Sequence, residues 1–259
     1  MERCIKVETA GHLACVTLER PERRNAFSLD LMQQLIECAA ELAARHDIGA
    51  VIVTGGPQFF SGGADLKDPR RWATDISLIE QRETARIGFR LARAWEELPQ
   101  ITIAAIEGYA IGAGFALTLA LDWRVMASNA FVSLPEIALG IPLTWGSVPR
   151  LVNLVGPAKA KRLTILCERI AAQQALTMGV VDYVTDPGEA LAMATEVAEA
   201  VLTMPMHAVR MSKESINAAA NALNHVTSYM AHDQFQLALA SAESRDAREA
   251  ALKRRHPTE

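Results

Sequence analysis

Phe60-Ser61-Gly62-Gly63-Ala64-Asp65-Leu66 and, further on, Gly108-Tyr109-Ala110-Ile111-Gly112-Ala113-Gly114 are glycine-rich turns that expose backbone N–H groups. A main-chain N–H is fixed before reaction and cannot be deprotonated, so two such turns could together hold one oxyanion. That arrangement points to acyl chemistry on a thioester or ester. Residue 113 opens a helix, where unpaired N–H groups and the dipole favour negative charge. Taken alone, the Ser61 to Asp65 turn is simply a tight chain reversal. Its weight comes from the second turn.

A third segment, Leu134-Pro135-Glu136-Ile137-Ala138-Leu139-Gly140, carries one acid among apolar residues, with no Lys or Arg beside it. A carboxyl in such surroundings has a raised pKa, which suits a group that takes and returns a proton near neutrality. The same position after proline also suits an ordinary first-turn or N-cap glutamate, and the sequence leaves both readings open. A dinucleotide-binding unit is the rival from another class: strand, Gly112-x-Gly114, helix, then a strand ending near Glu136. Against it, Leu117 stands at the third glycine, the helix is short, and Gly62-Gly63 would be left without a role.

The elements that must position these groups alternate strand and helix. Cys4 to Glu8 and Leu13 to Leu18 read as strands, and Ala50 to Thr54 and Ile101 to Ile106 as the strands that feed the glycine turns. Ser28 caps a helix to about Arg45, with Met32, Leu35, Ile36, Ala39, Leu42 and Ala43 at helical spacing. Pro69 to Ser77 reads as an irregular connector before a longer helix carrying Ile87, Leu91, Trp95 and Leu98. Arg124 to Ala127 and Phe131 to Leu134 are further strands. Such repetition implies an α/β body with a mostly parallel sheet. From about Gly188 the chain turns helical, over Ala190 to Leu202, Pro205 to Ala222 and Val226 to Glu243. Its apolar surplus, including Met211, Tyr229, Phe235 and Leu237, calls for packing on the body or burial against another subunit.

With 259 residues, half of them apolar, a formal net charge of −4, and Lys and Arg scattered apart from a short terminal run, Lys253-Arg254-Arg255, that reads as a solvated helix end, the chain is not built for nucleic acid. The four cysteines form no C-x-x-C pair and the six histidines lie apart, so reduced thiols and no metal site are expected. The N-terminus lacks an apolar signal segment, and the longest uncharged apolar run, Gly108 to Leu121, is too short to span a bilayer. A soluble, cytoplasmic protein with no membrane partner is the expectation.

Together, Phe60 to Lys67, Gly108 to Gly114 and Pro135 to Gly140 resemble the enoyl-CoA hydratase/isomerase (crotonase) family, with Arg23-Arg24-Asn25-Ala26-Phe27 and Gly179-Val180-Val181-Asp182-Tyr183-Val184 matching as well. The resemblance runs from about Ile5 to Val184. It implies a crotonase-like spiral of ββα units over residues 1–188 and a C-terminal all-helical oligomerisation region over 189–259, forming a homotrimer or a dimer of trimers. It implies that the N–H groups of Ala64 and Ala113 bind the thioester carbonyl of an acyl-CoA, and that Arg24, Asp65, Leu66 and Lys67 line the CoA moiety. No separate cofactor is implied, since coenzyme A enters with the substrate.

The departures bear on the reaction. Ala113 stands where the family usually has glycine. The family's hydratases use two glutamates, and the first position here is Ala116, leaving Glu136 alone. The acid of dienoyl-CoA isomerases falls on Thr144. Leu143-Thr144-Trp145 replaces a small glycine-rich run, so Ala116, Thr144 and Trp145 should give the acyl pocket its own shape. Water addition relies on two positioned groups, whereas moving a double bond from the 3 to the 2 position needs only one base. The expectation is therefore 3-enoyl-CoA to 2-enoyl-CoA isomerisation through Glu136. A hydratase, another crotonase reaction (decarboxylase, hydrolase, lyase) and a non-catalytic acyl-CoA binder are the alternatives.

Overall fold

The computed structural model describes residues 3–73 and 75–255, with the side chains of the terminal run Lys253-Arg254-Arg255 lying outside what is described. A hairpin of β1 (Ile5–Ala10) and β2 (Leu13–Leu18) opens the chain, and β2 buries Ala14, Val16 and Leu18 on one face. β3 (Ala50–Thr54) and β4 (Ile101–Ile106) are buried along their whole length, as parallel strands covered on both faces must be. With β6 (Trp123–Ala127) and β9 (Tyr183–Thr185) they complete a six-stranded sheet in the order β1-β2-β3-β4-β6-β9, parallel except for the first pair.

A second, three-stranded sheet holds β5 (Tyr109–Ile111), β7 (Phe131–Ser133) and β8 (Ile170–Ala171). From β4 onward the chain steps between the sheets, β4 and β6 in the large one, β5 and β7 in the small one. The second glycine turn is therefore a turn, a three-residue strand and another turn. β5 is too short for its period to register in the sequence.

Helices cover both faces of the large sheet. On one side lie α1 (Leu29–Ala43), capped by Ser28 Oγ accepting from Leu31 N–H, and α2 (Leu78–Glu96), opened by a Ser77–Glu80 capping box. Trp95 of α2 is fully buried and donates from Nε1 to the Leu35 carbonyl at 3.1 Å, tying the two helices together. On the other side α6 (Ala190–Leu202) lays Ala190, Ala194 and Ala198 on Ile52, Ile103 and Val125. Small residues at every fourth position let this helix approach the sheet closely. Glu107, at the end of β4, accepts from the Gly188 and Ala190 N–H groups and caps α6 from a distance.

Between these elements run α3 (Ala113–Thr118), α4 (Ser147–Ile165), interrupted at Gly156 before Pro157, and α5 (Ala172–Met178). Arg124, 1% exposed, donates to the Thr118 and Leu121 carbonyls at the end of α3 and pairs with Asp182 at 2.8 Å. A guanidinium thus satisfies the last carbonyls of that short helix.

The tail differs from expectation in one respect. After α7 (Met206–Ala220), the stretch expected as a single helix from Val226 to Glu243 falls into parts of α8 (Asn224–Ser228), α9 (Ala231–Leu239) and α10 (Ala242–Arg255). No proline or glycine marks these breaks. Tertiary contacts hold α9 on α2: Arg82 pairs with Asp233 at 2.8 Å, and Gln236 Nε2 donates to the Gln81 carbonyl at 3.2 Å. Among the described residues no helix is long and apolar enough to cross a membrane.

Lys213 of α7 is 6% exposed, and its Nζ reaches Asp122 Oδ2 at 2.6 Å and the Gln100 carbonyl at 2.7 Å. Asp122 also accepts from the N–H and hydroxyl of Thr102. Removing the cation from a buried pair leaves an uncompensated carboxylate. Lys213→Met should lower the unfolding free energy by about 3 kcal/mol, read from urea denaturation. An unchanged midpoint would contradict this role.

Candidate active site

The first glycine turn is held open by side chains upstream of it. Asn25 is fully buried with a left-handed backbone (φ 50), and its Nδ2 donates to the Gly55 and Phe60 carbonyls. Its own carbonyl accepts from Ser61 Oγ at 2.7 Å, and Ser61 Oγ in turn accepts from the Gly63 N–H. Single parallel bridges then stitch Phe27 to Ala64 and Ser61 to Ala110. Phe27 N–H donates to the Gly63 carbonyl, Asp65 N–H to Phe27, and Ile111 N–H to Ser61. Bridges of this kind engage alternate groups. Among the described residues, no acceptor engages the N–H of Ala64 or of Ala113.

Both turns depend on backbone that only glycine adopts freely: Gly63 has φ 97 and Gly112 has φ 53. They also need the missing side chains. A Cβ on Gly63 would lie 2.9 Å from the Ile111 carbonyl oxygen and 3.9 Å from the Ala113 nitrogen. One on Gly112 would lie 3.0 Å from Glu136 Oε1 and 3.9 Å from Gly63 Cα. Turn, turn and carboxyl therefore meet at one spot.

Glu136 is the residue before a short 3-10 turn, Ile137–Leu139, and its backbone carbonyl is taken by the Leu139 and Ile141 N–H groups. Its Oε2 is buried with no hydrogen-bond partner among the described residues. Burial raises the carboxyl to about 7, only partly offset by a hydrogen bond from its own N–H. An acid so placed exists in both protonation states near neutral pH.

A cavity of about 60 Å³ is lined by Ala64, Ala113 and Glu136 together, with Leu66, Ala116, Thr144 and Trp145 also in its wall. It adjoins a larger one of about 340 Å³, the two sharing Arg71, Thr144, Trp145 and Phe235. Trp145 has a left-handed backbone (φ 62) and packs edge-on against Phe27 at 5.8 Å. Gly88 of α2 leaves room for its indole, since a Cβ there would sit 1.8 Å from Nε1. The Trp145 carbonyl accepts from Arg150, which is itself gripped by Glu96 through both carboxylate oxygens.

Arg24, Asp65 and Lys67 stand apart from this cavity. Arg24 is exposed beside the first turn, its carbonyl accepting from the Gly62 N–H. Lys67 is exposed too. Asp65 faces inward: it is 8% exposed, pairs with Arg20 at 3.3 Å and accepts from the Lys67 N–H. Its carboxylate secures the loop. Sequence reasoning missed Arg71 as a wall residue and Asn25 as the clamp. Phe235 was visible only as part of the tail's apolar surplus.

A family model described as enoyl-CoA hydratase/isomerase matches residues 8–258. The chain belongs to the enoyl-CoA hydratase/isomerase family. It is 34% identical to a short-chain-enoyl-CoA hydratase of Clostridium acetobutylicum over 82% of this chain and 80% of that one. It is 31% identical to a crotonyl-CoA hydratase of Syntrophomonas wolfei over 97% and 95%. Among solved structures, Pseudomonas aeruginosa DspI matches at 36% identity and a TM-score of 0.78, over 84% of this chain and 88% of that one. An enoyl-CoA hydratase from Mycobacterium avium subsp. paratuberculosis matches at 25% identity and a TM-score of 0.87, over 99% and 98%. The fold is thus the crotonase fold, and the protein is an enoyl-CoA hydratase/isomerase family enzyme acting on CoA thioesters.

The raised carboxyl of Glu136 has a consequence for stability. Its folded pKa of about 7 lies above the ordinary 4.5, so between those values the folded state binds the extra proton and stability falls as pH rises. By pH 8.5 the penalty for an ionised, buried Glu136 is on the order of 3 kcal/mol. Glu136→Gln should therefore stabilise the protein at pH 8.5 and change it little at pH 5, measured by chemical denaturation at both. An effect of equal size at the two values would contradict a buried carboxyl that titrates near neutrality.

Proposed function

We propose that this enzyme moves a double bond within an acyl-CoA, converting a 3-enoyl thioester to the 2-enoyl isomer. Glu136 removes a proton from C2 and returns it at C4, while the N–H groups of Ala64 and Ala113 hold the dienolate oxygen. The observation that carries this reading is the pairing of one carboxyl, near pKa 7, with Ala116 in the same cavity wall where a second acid would sit. One base that can both accept and donate suffices for a proton shuttle. The CoA moiety would run outward past Leu66, with the exposed Arg24 and Lys67 on hand for its phosphates. Self-association through the tail is part of the same proposal, and exposed Met211, Ile216 and Leu237 on α7 and α9 support it.

Hydration of a 2-enoyl-CoA is the second reading. It is favoured by the names of the Clostridium and Syntrophomonas relatives and by the Thr144 hydroxyl in the cavity wall, which could orient a water.

Incubating trans-3-hexenoyl-CoA with the enzyme in heavy water, with products followed by mass and NMR, separates the two. The proposal expects 2-hexenoyl-CoA with deuterium at C2 or C4. Glu136→Gln should slow the reaction by about 10² to 10⁴. A product of trans-2-hexenoyl-CoA heavier by one water, with no 3-to-2 interconversion, would replace isomerase by hydratase.

A further inference from the structure

The tail helix α10 meets the body at the turn that carries Glu136. After the acid comes the 3-10 turn Ile137–Leu139, and Gly140 ends it with a left-handed backbone (φ 73), its N–H donating to the Ile137 carbonyl. The Leu139 and Ile141 N–H groups both return to the Glu136 carbonyl. The carbonyl of Gly140 is taken by the tail, since Ser244 Oγ donates to it. Contact there is close: a Cβ on Gly140 would lie 2.5 Å from Ser244 Cα and 3.0 Å from its Oγ.

α10 has little apolar surface with which to dock. Ser244 is its only buried residue among the described side chains, with Glu243, Arg245, Asp246 and Glu249 exposed around it. A helix whose one buried side chain ends in a hydroxyl gains little from hydrophobic burial, so this polar tie fixes where its first turn sits. The Ser244 N–H donates to Ser241 Oγ, which caps that turn. On the other side of the tie, Glu136 Oε2 has no hydrogen-bond partner among the described residues. The carboxyl therefore takes its aim from the backbone that carries it. A slide of that turn would carry the acid away from the two glycine loops.

We infer that Ser244 is a positioning residue: its hydrogen bond to Gly140 fixes the turn so that the Glu136 carboxyl faces the acyl carbons. The tail thereby completes the active site without touching the substrate through this residue. This rests on the reading of Glu136 as the proton-transferring group.

Ser244→Ala removes the donor and keeps the Cβ. Turnover of trans-3-hexenoyl-CoA, or hydration of trans-2-hexenoyl-CoA, should fall in kcat by about 10- to 100-fold, as a misplaced acid–base group requires. Affinity for hexanoyl-CoA, read by calorimetry, should stay within about twofold, because the amides of Ala64 and Ala113 keep their places. Amide hydrogen exchange at Leu139, Gly140 and Ile141 should quicken in the same variant. An unchanged kcat, or kcat and affinity falling together, would overturn the inference. Faster exchange confined to α10 would overturn it as well, because Ser244 would then anchor the helix alone. A wild-type enzyme that neither moves the double bond nor adds water rejects the role of Glu136. In that case faster exchange at the three amides still upholds the tie, and unchanged exchange overturns it.

Discussion

The site depends on the close approach of two loops at Gly63 and Gly112. The gap between them is filled by their own backbones, with 3.9 Å between Gly63 Cα and the place a Gly112 Cβ would occupy. A Cβ on Gly63 would press on the Ile111 carbonyl of the other loop and one on Gly112 on the Glu136 carboxyl, and both residues hold φ values costly for other residues. Much of the surrounding structure serves to keep that approach. Asn25 and Ser61 fix one loop, the β5–β7 ladder fixes the other, and Gly114 packs flat against Ser61. The crossing of the chain between two sheets is what brings the end of β5 to the first loop at all.

The carboxyl set beside that crossing is destabilising when ionised and stays because the scaffold over-determines it. Its raised pKa comes from burial and not from a neighbouring acid, and Ala116 adds no charge of its own. The same absence of a second acid keeps the titration simple: one group, one proton. Stability given up at a site that must change protonation state is a common feature of enzymes. Elsewhere the buried charges are matched, as in Arg20–Asp65, Arg150–Glu96 and Lys213–Asp122, each tying an element to its neighbour.

Much of this was legible in the sequence. The apolar runs of β3 and β4, the Ser28 cap, the helical stripe of α1 and the glycine turns each follow local rules, and the structure has them within a few residues. The proximity of Ala64, Ala113 and Glu136 came from motif resemblance, because nothing local tells a turn at 63 where the turn at 112 will be. What stayed hidden was set by tertiary contact. β5 and β8 are too short to show a period, and the breaks around α9 carry no breaker residue. Arg71 lies in the stretch read as an irregular connector, and only the fold puts it in the wall of both cavities.

In the proposed site the main-chain amides of Ala64 and Ala113 polarise one thioester carbonyl. Isotope-edited infrared spectroscopy of an acyl-CoA labelled with ¹³C at the thioester carbon reads this bond directly. On binding, the carbonyl band should move to lower frequency and narrow, as two fixed donors require. A bound carbonyl with the frequency it has in an aprotic solvent would contradict it.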